Sequence, residues 1–242
     1  MESRVVRPVA LESLQLRALS ANLELVRTGL ATLTFGNASA ADRDAGLMAI
    51  KPSGVPYDEL SADAMPVLDI ASGEVVAGEL RPSSDTPTHL VLYRAFAGVA
   101  GIVHTHSRYA TAWAQARRPI PCLGTTHADH FRGEVPVTRP LREDEIATGY
   151  EEATGAVVVE TLAQRGASPL ELPAVLVASH GPFAWGADAA RAVENAVALE
   201  LVAESAYRAL SLAPDAAPID DALLAKHFDR KHGPGAYYGQ AE

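Results

Sequence analysis

The sequence predicts one α/β domain in which helices cover a mixed or antiparallel sheet. Three observations point there. Helical and strand-like apolar patterns intermix along the chain without strict β–α alternation. Two short apolar runs joined across Ala71-Ser72-Gly73 read as a hairpin, which calls for an antiparallel pair. No internal repeat, low-complexity block or interdomain linker breaks the 242 residues, a length that a single α/β core can carry.

The elements follow in order. Residues 9–28 place Leu11, Leu14 and Ala18 on one helical stripe, with Leu16, Leu19, Leu23 and Val26 beside it and Gly29 as a C-terminal stop. A short strand is expected over Thr32–Phe35, running into Gly36-Asn37-Ala38-Ser39, a small-polar loop suited to close backbone approach. Leu47–Ile50 reads as a strand that ends in the turn Lys51-Pro52-Ser53-Gly54. Val67–Ile70 and Glu74–Val76 form the hairpin. Pro87, with Asp85 or Thr86 as cap, starts a helix over about Thr88–Phe96. A strand through Gly101–Ser107 and a helix over Arg108–Ala116 come next, broken by Arg118-Pro119-Ile120-Pro121. Val135–Thr138 is a short strand and Ile146–Arg165 a helix ending at Gly166. Ala174–Ala178 is a continuous apolar run, the mark of a buried strand, and it delivers Ser179-His180-Gly181 at its end. Helices over Ala189–Leu210 and Ala222–Lys231 and the tail from His232 to Tyr238 close the chain.

Composition narrows the function. Apolar residues make up 48%, enough for a sizeable core, and a net charge of −10 weighs against nucleic acid as partner. Cys122 has no second cysteine to pair with, which suits a reducing, cytoplasmic setting. Met1–Pro8 lacks the basic-then-apolar pattern of a signal peptide, and no apolar stretch reaches membrane-spanning length.

The chemistry gathers around Gly101-Ile102-Val103-His104-Thr105-His106-Ser107. On a strand, residues i and i+2 face the same side, so His104 and His106 would project together. Such a pair alone is more often ordinary core or surface histidine than a metal grip. His180, at the end of another strand, and Asp85, in a polar loop before a helix, could complete a set of imidazoles and a carboxylate suited to zinc or a similar ion. Asp85 suits a plain helix cap equally well, and His180 a loop histidine beside Gly181. Gly36-Asn37, Ser53-Gly54 and Ser83-Ser84 offer N–H groups and short donors for a phosphate, with Lys51 as a charge. None matches a Walker A loop or the dinucleotide fingerprint, and each alone is more often an ordinary turn. The polar cluster Thr125-Thr126-His127-Ala128-Asp129-His130 reads by itself as a solvated loop. The lysines, Lys51, Lys226 and Lys231, lie outside clearly buried apolar strands, which weighs against a Schiff-base electrophile.

Taken in order, Asp85-Thr86-Pro87-Thr88-His89-Leu90, Ile102 to Ser107, Thr125 to Asp129, Ser179-His180-Gly181-Pro182-Phe183-Ala184-Trp185-Gly186, and the tail Lys231-His232-Gly233 to Tyr237-Tyr238-Gly239-Gln240 closely resemble the L-ribulose-5-phosphate 4-epimerases of the class II aldolase/adducin superfamily. The likeness runs from Leu14 to Gln240. It implies a three-layer αβα sandwich with a central mixed, largely antiparallel sheet. It also implies zinc, with manganese or cobalt as substitutes, on Asp85, His104, His106 and His180. Phosphate would be bound by Gly36, Asn37, Lys51, Ser53, Gly54, Ser83 and Ser84. Asp129 and Tyr238 would handle protons; His227, one or two turns from the tail, suits a helper and a helix-surface residue equally well. The assembly would be a homotetramer in which the tail, residues 232–242, reaches a neighbouring subunit. The implied substrate is a phosphorylated pentulose, in L-arabinose breakdown or an ascorbate-type route. Fuculose- and rhamnulose-phosphate-type aldolases look similar around the histidines, but the fuculose type carries glutamate where Asp85 stands, so aspartate favours the epimerase. His130 stands where close relatives often have tyrosine. Two other readings compete: an aldolase that releases its products, and a non-catalytic, adducin-like interaction domain, against which the histidine set weighs.

Overall fold

From Pro8 the chain enters helix α1 (Pro8–Arg27), whose inward stripe is Leu14, Ala18, Ala21 and Leu25, while Leu16, Leu23 and Val26 stay exposed. This is a computed structural model, and it describes residues 8–239. The N-terminal stretch read above for a signal peptide and the last residues of the predicted tail therefore lie largely outside the described part.

Strand β1 (Asn37–Asp42) is followed by β2 (Leu47–Ile50), a 3-10 turn (Tyr57–Glu59), β3 (Val67–Asp69) and β4 (Val75–Ala77). Helix α2 (Thr86–Ala95), strand β5 (Gly101–His104), helix α3 (Arg108–Gln115) and the one-turn helix α4 (Thr125–Ala128) come next. The chain ends with α5 (Glu143–Arg165), β6 (Ala174–Leu176), β7 (Pro182–Gly186), α6 (Ala189–Leu212) and α7 (Asp221–His232). The strands form one seven-stranded sheet in the order β4-β3-β2-β1-β5-β7-β6, with each neighbouring pair antiparallel. A lone parallel bridge joins Val137 to Leu176.

Register decides which side chains share a face. Asn37 pairs with His104 and His104 with Phe183, while Ser39 pairs with Ile102 and Ile102 with Trp185, so these residues lie on one face. Helix α2 covers it: Ser39 Oγ bonds to His89 Nδ1 at 2.7 Å and Tyr93 OH at 2.8 Å, and Phe96 packs on Trp185. Helix α5 lies against α2. The opposite face carries Ala38, Val103 and Ala184 and is covered by α1 and α6. There Asn22 of α1 bonds to the Ala38 N–H and carbonyl. Helices on both faces of a central antiparallel sheet make the three-layer α/β architecture.

Several expected elements shift. Thr32–Phe35 is turn and coil, and the stretch expected as loop, Asn37–Ser39, begins β1 instead. Small residues have little strand propensity, but at the sheet centre Ala38, Ser39 and Ala40 are sandwiched between helical layers and almost wholly buried. The strand through His106 stops at His104, and Ala174–Ala178 stops at Leu176. Val135–Thr138 makes only isolated bridges, with Ile120 and Leu176. Strand β7 was not anticipated; its proline sits at the first position, where a strand tolerates one. Helix α5 starts earlier than Ile146 because Glu145 accepts a 2.7 Å bond from the Arg142 N–H, forming a capping box. Among the described residues no helix is long and apolar enough to cross a membrane.

Candidate active site

Strand β5 delivers His104 at its end, and His106 follows in the extended segment beyond it, buried and exposed respectively. His180 arrives on the turn between β6 and β7, where Ser179 takes φ 63°. Gly181 makes that turn possible, because a Cβ there would lie 2.8 Å from the Thr105 carbonyl. The loop thus presses His180 against the His104–His106 segment. One nitrogen from each of the three rings lies within 4.8 Å of the others, and His104 Nε2 and His106 Nε2 stand 3.1 Å apart.

The outer nitrogens fix the inner ones. His104 Nδ1 lies 3.0 Å from the Pro182 carbonyl, an acceptor only, so Nδ1 carries the proton and Nε2 presents a lone pair. His180 Nδ1 lies 3.1 Å from Tyr150 OH. Burial pushes the His104 imidazole far below its ordinary value, and burial lowers His180 as well. Both rings are therefore neutral near pH 7, the state a ligand needs.

Asp85 lines the same cavity but stands outside the tight histidine cluster. It occupies the N-cap position of α2 yet makes no side-chain cap bond. Its Oδ2 instead accepts from Asn37 Nδ2 at 2.6 Å. Burial pulls the Asp85 carboxyl upward, but His104, His89, the Asn37 bond and His180 together hold it below its ordinary value. Neutral imidazoles converging beside an ionised carboxylate are a donor set that fits a divalent ion.

The predicted phosphate groups line one cavity of about 360 Å³ with these residues: Gly36, Asn37, Lys51, Ser53, Gly54, Ser83 and Ser84, together with Asp85, His104, His106 and His180. Two turns remote in sequence are zipped together to make it. Ser53 N–H donates to the Arg81 carbonyl at 2.9 Å, Ser83 N–H to the Lys51 carbonyl at 3.0 Å, and Pro52 bridges Pro82. Gly36 has φ 77° and so little room that a Cβ would meet the His104 carbonyl at 2.8 Å. Lys51 departs from expectation. It follows a fully buried strand, is itself 2% exposed, and burial lowers its pKa. Its Nζ donates to the Val55 carbonyl at 2.7 Å and lies over the Tyr57 ring.

Asp129 and Tyr238 lie together elsewhere. Asp129, at the end of α4, is held by Arg230 and His227 of α7, and the Arg230 guanidinium lies 5.1 Å from the Tyr238 ring centre. His232 Nε2 donates to the Asp129 carbonyl, and Lys231 Nζ reaches His130 Nε2 at 3.4 Å. None of these residues lines the histidine cavity. The Thr125–His130 cluster is thus no free loop but a helical turn clamped by α7. The cavity is also lined by Thr34, Phe35, Tyr150 and Glu151, which sequence reasoning missed. Phe35 stacks on His106. Tyr150 was hidden inside a helical pattern, and the neighbouring Gly149 was its one signal.

Residues 17–207 match the Class II Aldolase and Adducin N-terminal domain. An L-fuculose 1-phosphate aldolase structure is 27% identical with a TM-score of 0.75, covering 90% of this chain and 95% of that one. The L-fuculose-1-phosphate aldolase of Thermus thermophilus is 25% identical with a TM-score of 0.65, over 86% of this chain and 98% of that one. YgbL of Klebsiella pneumoniae, a putative aldolase/epimerase/decarboxylase, is 26% identical with a TM-score of 0.69, over 89% and 98%. With the match spanning most of its length and the fold shared, the chain belongs to the class II aldolase/adducin family.

Proposed function

We propose that this protein is a divalent-metal-dependent L-ribulose-5-phosphate 4-epimerase, acting in the cytoplasm in L-arabinose breakdown. The observation that carries the reading is the single cavity in which the three histidines and Asp85 meet the two zipped turns of small polar residues. It offers an ion-holding end and a phosphate-holding end to one small molecule.

The C4 hydrogen of a 2-ketopentose phosphate is not adjacent to the C2 carbonyl, so direct deprotonation gives no stabilised carbanion. The C4 hydroxyl is β to that carbonyl. Loss of its proton lets the C3–C4 bond break, leaving the enediolate of dihydroxyacetone and glycolaldehyde phosphate. Rotation of the aldehyde and re-addition, with a proton returned to the C4 oxygen, gives D-xylulose 5-phosphate. Zinc, held by Asp85, His104, His106 and His180, would supply the Lewis acid that stabilises the enediolate charge. Gly36, Asn37, Ser53, Gly54, Ser83 and Ser84 would form the phosphate pocket, with the serine hydroxyls as donors, and Lys51 would add positive charge. Asp129 and Tyr238 would carry the C4–O proton, two carriers suiting an inversion that moves that oxygen across the pocket.

Asp129 and Tyr238 sit away from the histidine cavity of their own chain. A site that uses both halves would draw on a second copy, and the homotetramer that the resemblance implies would provide one.

The likeness to fuculose-phosphate aldolases favours a second reading, an aldolase that releases its products. Incubation with L-ribulose 5-phosphate, with and without a chelator, separates the two. The epimerase gives D-xylulose 5-phosphate, lost on chelation; free glycolaldehyde phosphate accumulating instead would overturn it.

A further inference from the structure

We propose that Tyr150 is a positioning residue for the metal centre: its hydroxyl accepts a hydrogen bond from His180 Nδ1–H and turns Nε2 toward the ion. The inference rests on the reading that the histidine cluster holds a divalent metal.

His104 and His180 differ in how they are anchored. His104 ends a buried strand, and its Nδ1 is tied to the Pro182 carbonyl at 3.0 Å. His180 is half-buried on a turn, beside a residue in the left-handed region. Its Nδ1 partner is a side chain from another element, Tyr150 OH at 3.1 Å. A neutral imidazole with Nδ1 protonated leaves Nε2 bare. The tyrosine hydroxyl can donate or accept, and when it accepts from Nδ1–H it holds the ring in the orientation and tautomer that leave Nε2 free for an ion.

The fold places Tyr150 for that contact. The chain departs from helical geometry at Gly149, with φ 179° and ψ 64°, and resumes the helix at Tyr150. Immediately after it, the Glu151 carbonyl accepts Thr88 Oγ1 at 2.6 Å, and the Tyr150 carbonyl accepts Thr154 Oγ1 at 2.8 Å. Thr88 is fully buried on α2, in the first turn after Asp85. One bond thus bolts the helix that carries Asp85 to the helix that carries Tyr150. The phenol ring lies 6.0 Å from the His180 ring and lines the cavity. Tyr150 is thereby placed to hold the one imidazole of the cluster that comes from a turn.

The experiment compares the full-length protein with Tyr150→Phe, which keeps the ring and removes the hydroxyl. Zinc affinity is measured by chelator competition at fixed pH, the visible spectrum after cobalt loading reports ligand geometry, and the metal-free melting temperature reports folding. The expected result is zinc affinity weakened about 10- to 100-fold, an altered cobalt spectrum and an unchanged metal-free melting temperature. Affinity within about twofold of the parent with the same cobalt spectrum would overturn the proposal, since outer-shell loss normally costs more than this. So would weakened binding accompanied by a lowered metal-free melting temperature, because the tyrosine would then act through folding. A parent protein that takes up neither zinc nor cobalt would overturn the metal reading itself, a failure visible before any variant is made.

Discussion

Arg230 grips Asp129 through two nitrogens, Nη2 to Oδ2 at 2.6 Å and Nε to Oδ1 at 3.0 Å, and His227 Nδ1 meets Oδ1 at 3.1 Å. Burial raises the Asp129 carboxyl, but Arg230 and His227 outweigh it and hold the group below its ordinary value. It is ionised near neutral pH, the state of a proton acceptor. Asp129→Asn is expected to lower turnover about 100-fold or more, the usual worth of a placed acid–base group, and to leave bound metal unchanged. Wild-type rates in this variant would remove Asp129 from the mechanism.

Because Asp129 and the histidines belong to different regions of one chain, complementation is expected between inactive variants. Mixing His106→Ala with Asp129→Asn subunits, under conditions of demonstrated exchange, should return activity in hybrids that contain one intact pair of half-sites. A Tyr238→Phe and His106→Ala mixture tests the tail in the same way. No recovery despite exchange would count against a shared site.

Ser39 Oγ is the shared partner of His89 Nδ1 and Tyr93 OH, and all three residues are fully buried. His89 Nε2 already lacks a hydrogen-bond partner among the described residues. Ser39→Ala would strand both neighbours. Each buried polar group left unpaired costs about 1–3 kcal/mol. Urea denaturation should register a loss of that order, and a change under about 0.5 kcal/mol, typical of an inconsequential surface site, would refute the network's importance.

Stability should also fall in mild acid. Burial pushes His89 and His127 each down to about 4 in the folded chain, whereas unfolded histidine titrates near its ordinary 6.5. Between these values the unfolded chain binds protons that the folded chain refuses. Their depressed values therefore favour folding less as pH drops from about 6.5 to about 4, by about 1.4 kcal/mol per pH unit for each histidine. Denaturation at pH 7, 6 and 5 measures the slope. His127→Gln, which retains a donor for the Gly133 carbonyl that His127 bonds at 2.8 Å, should reduce it. An unchanged slope would show that His127 titrates normally in the fold.

Element type was largely legible in the sequence, because long helices and apolar strands carry their period in the chain. Helices α1, α5 and α6 and strand β2 fall close to where periodicity puts them. Strand β1 was not legible. Asn37-Ala38-Ser39-Ala40-Ala41 has the composition of a loop, and it is a strand because two helical layers close over the sheet there. Lys51 illustrates the same limit: a polar residue beside a proline reads as turn, yet it is buried at the cavity wall, held by the Val55 carbonyl and the Tyr57 ring. Tyr150 and Glu151 were missed because they reach the cavity through the packing of α5 against α2, of which Gly149 was the one local sign.

The sequence by itself determined the residue chemistry: two histidines two positions apart, a third before a glycine, an aspartate before a proline-led helix, and pairs of small polar residues in turns. These are local facts, set by side-chain type and by the two-residue period of an extended chain. Tertiary structure decided how they combine. Antiparallel pairing of β1, β5 and β7 put Asn37 and His104 on one face, and the bridge between Pro52 and Pro82 closed the cavity beside them. It also carried Asp129 and Tyr238 to a separate surface with α7, a separation that arises from packing between elements far apart in sequence.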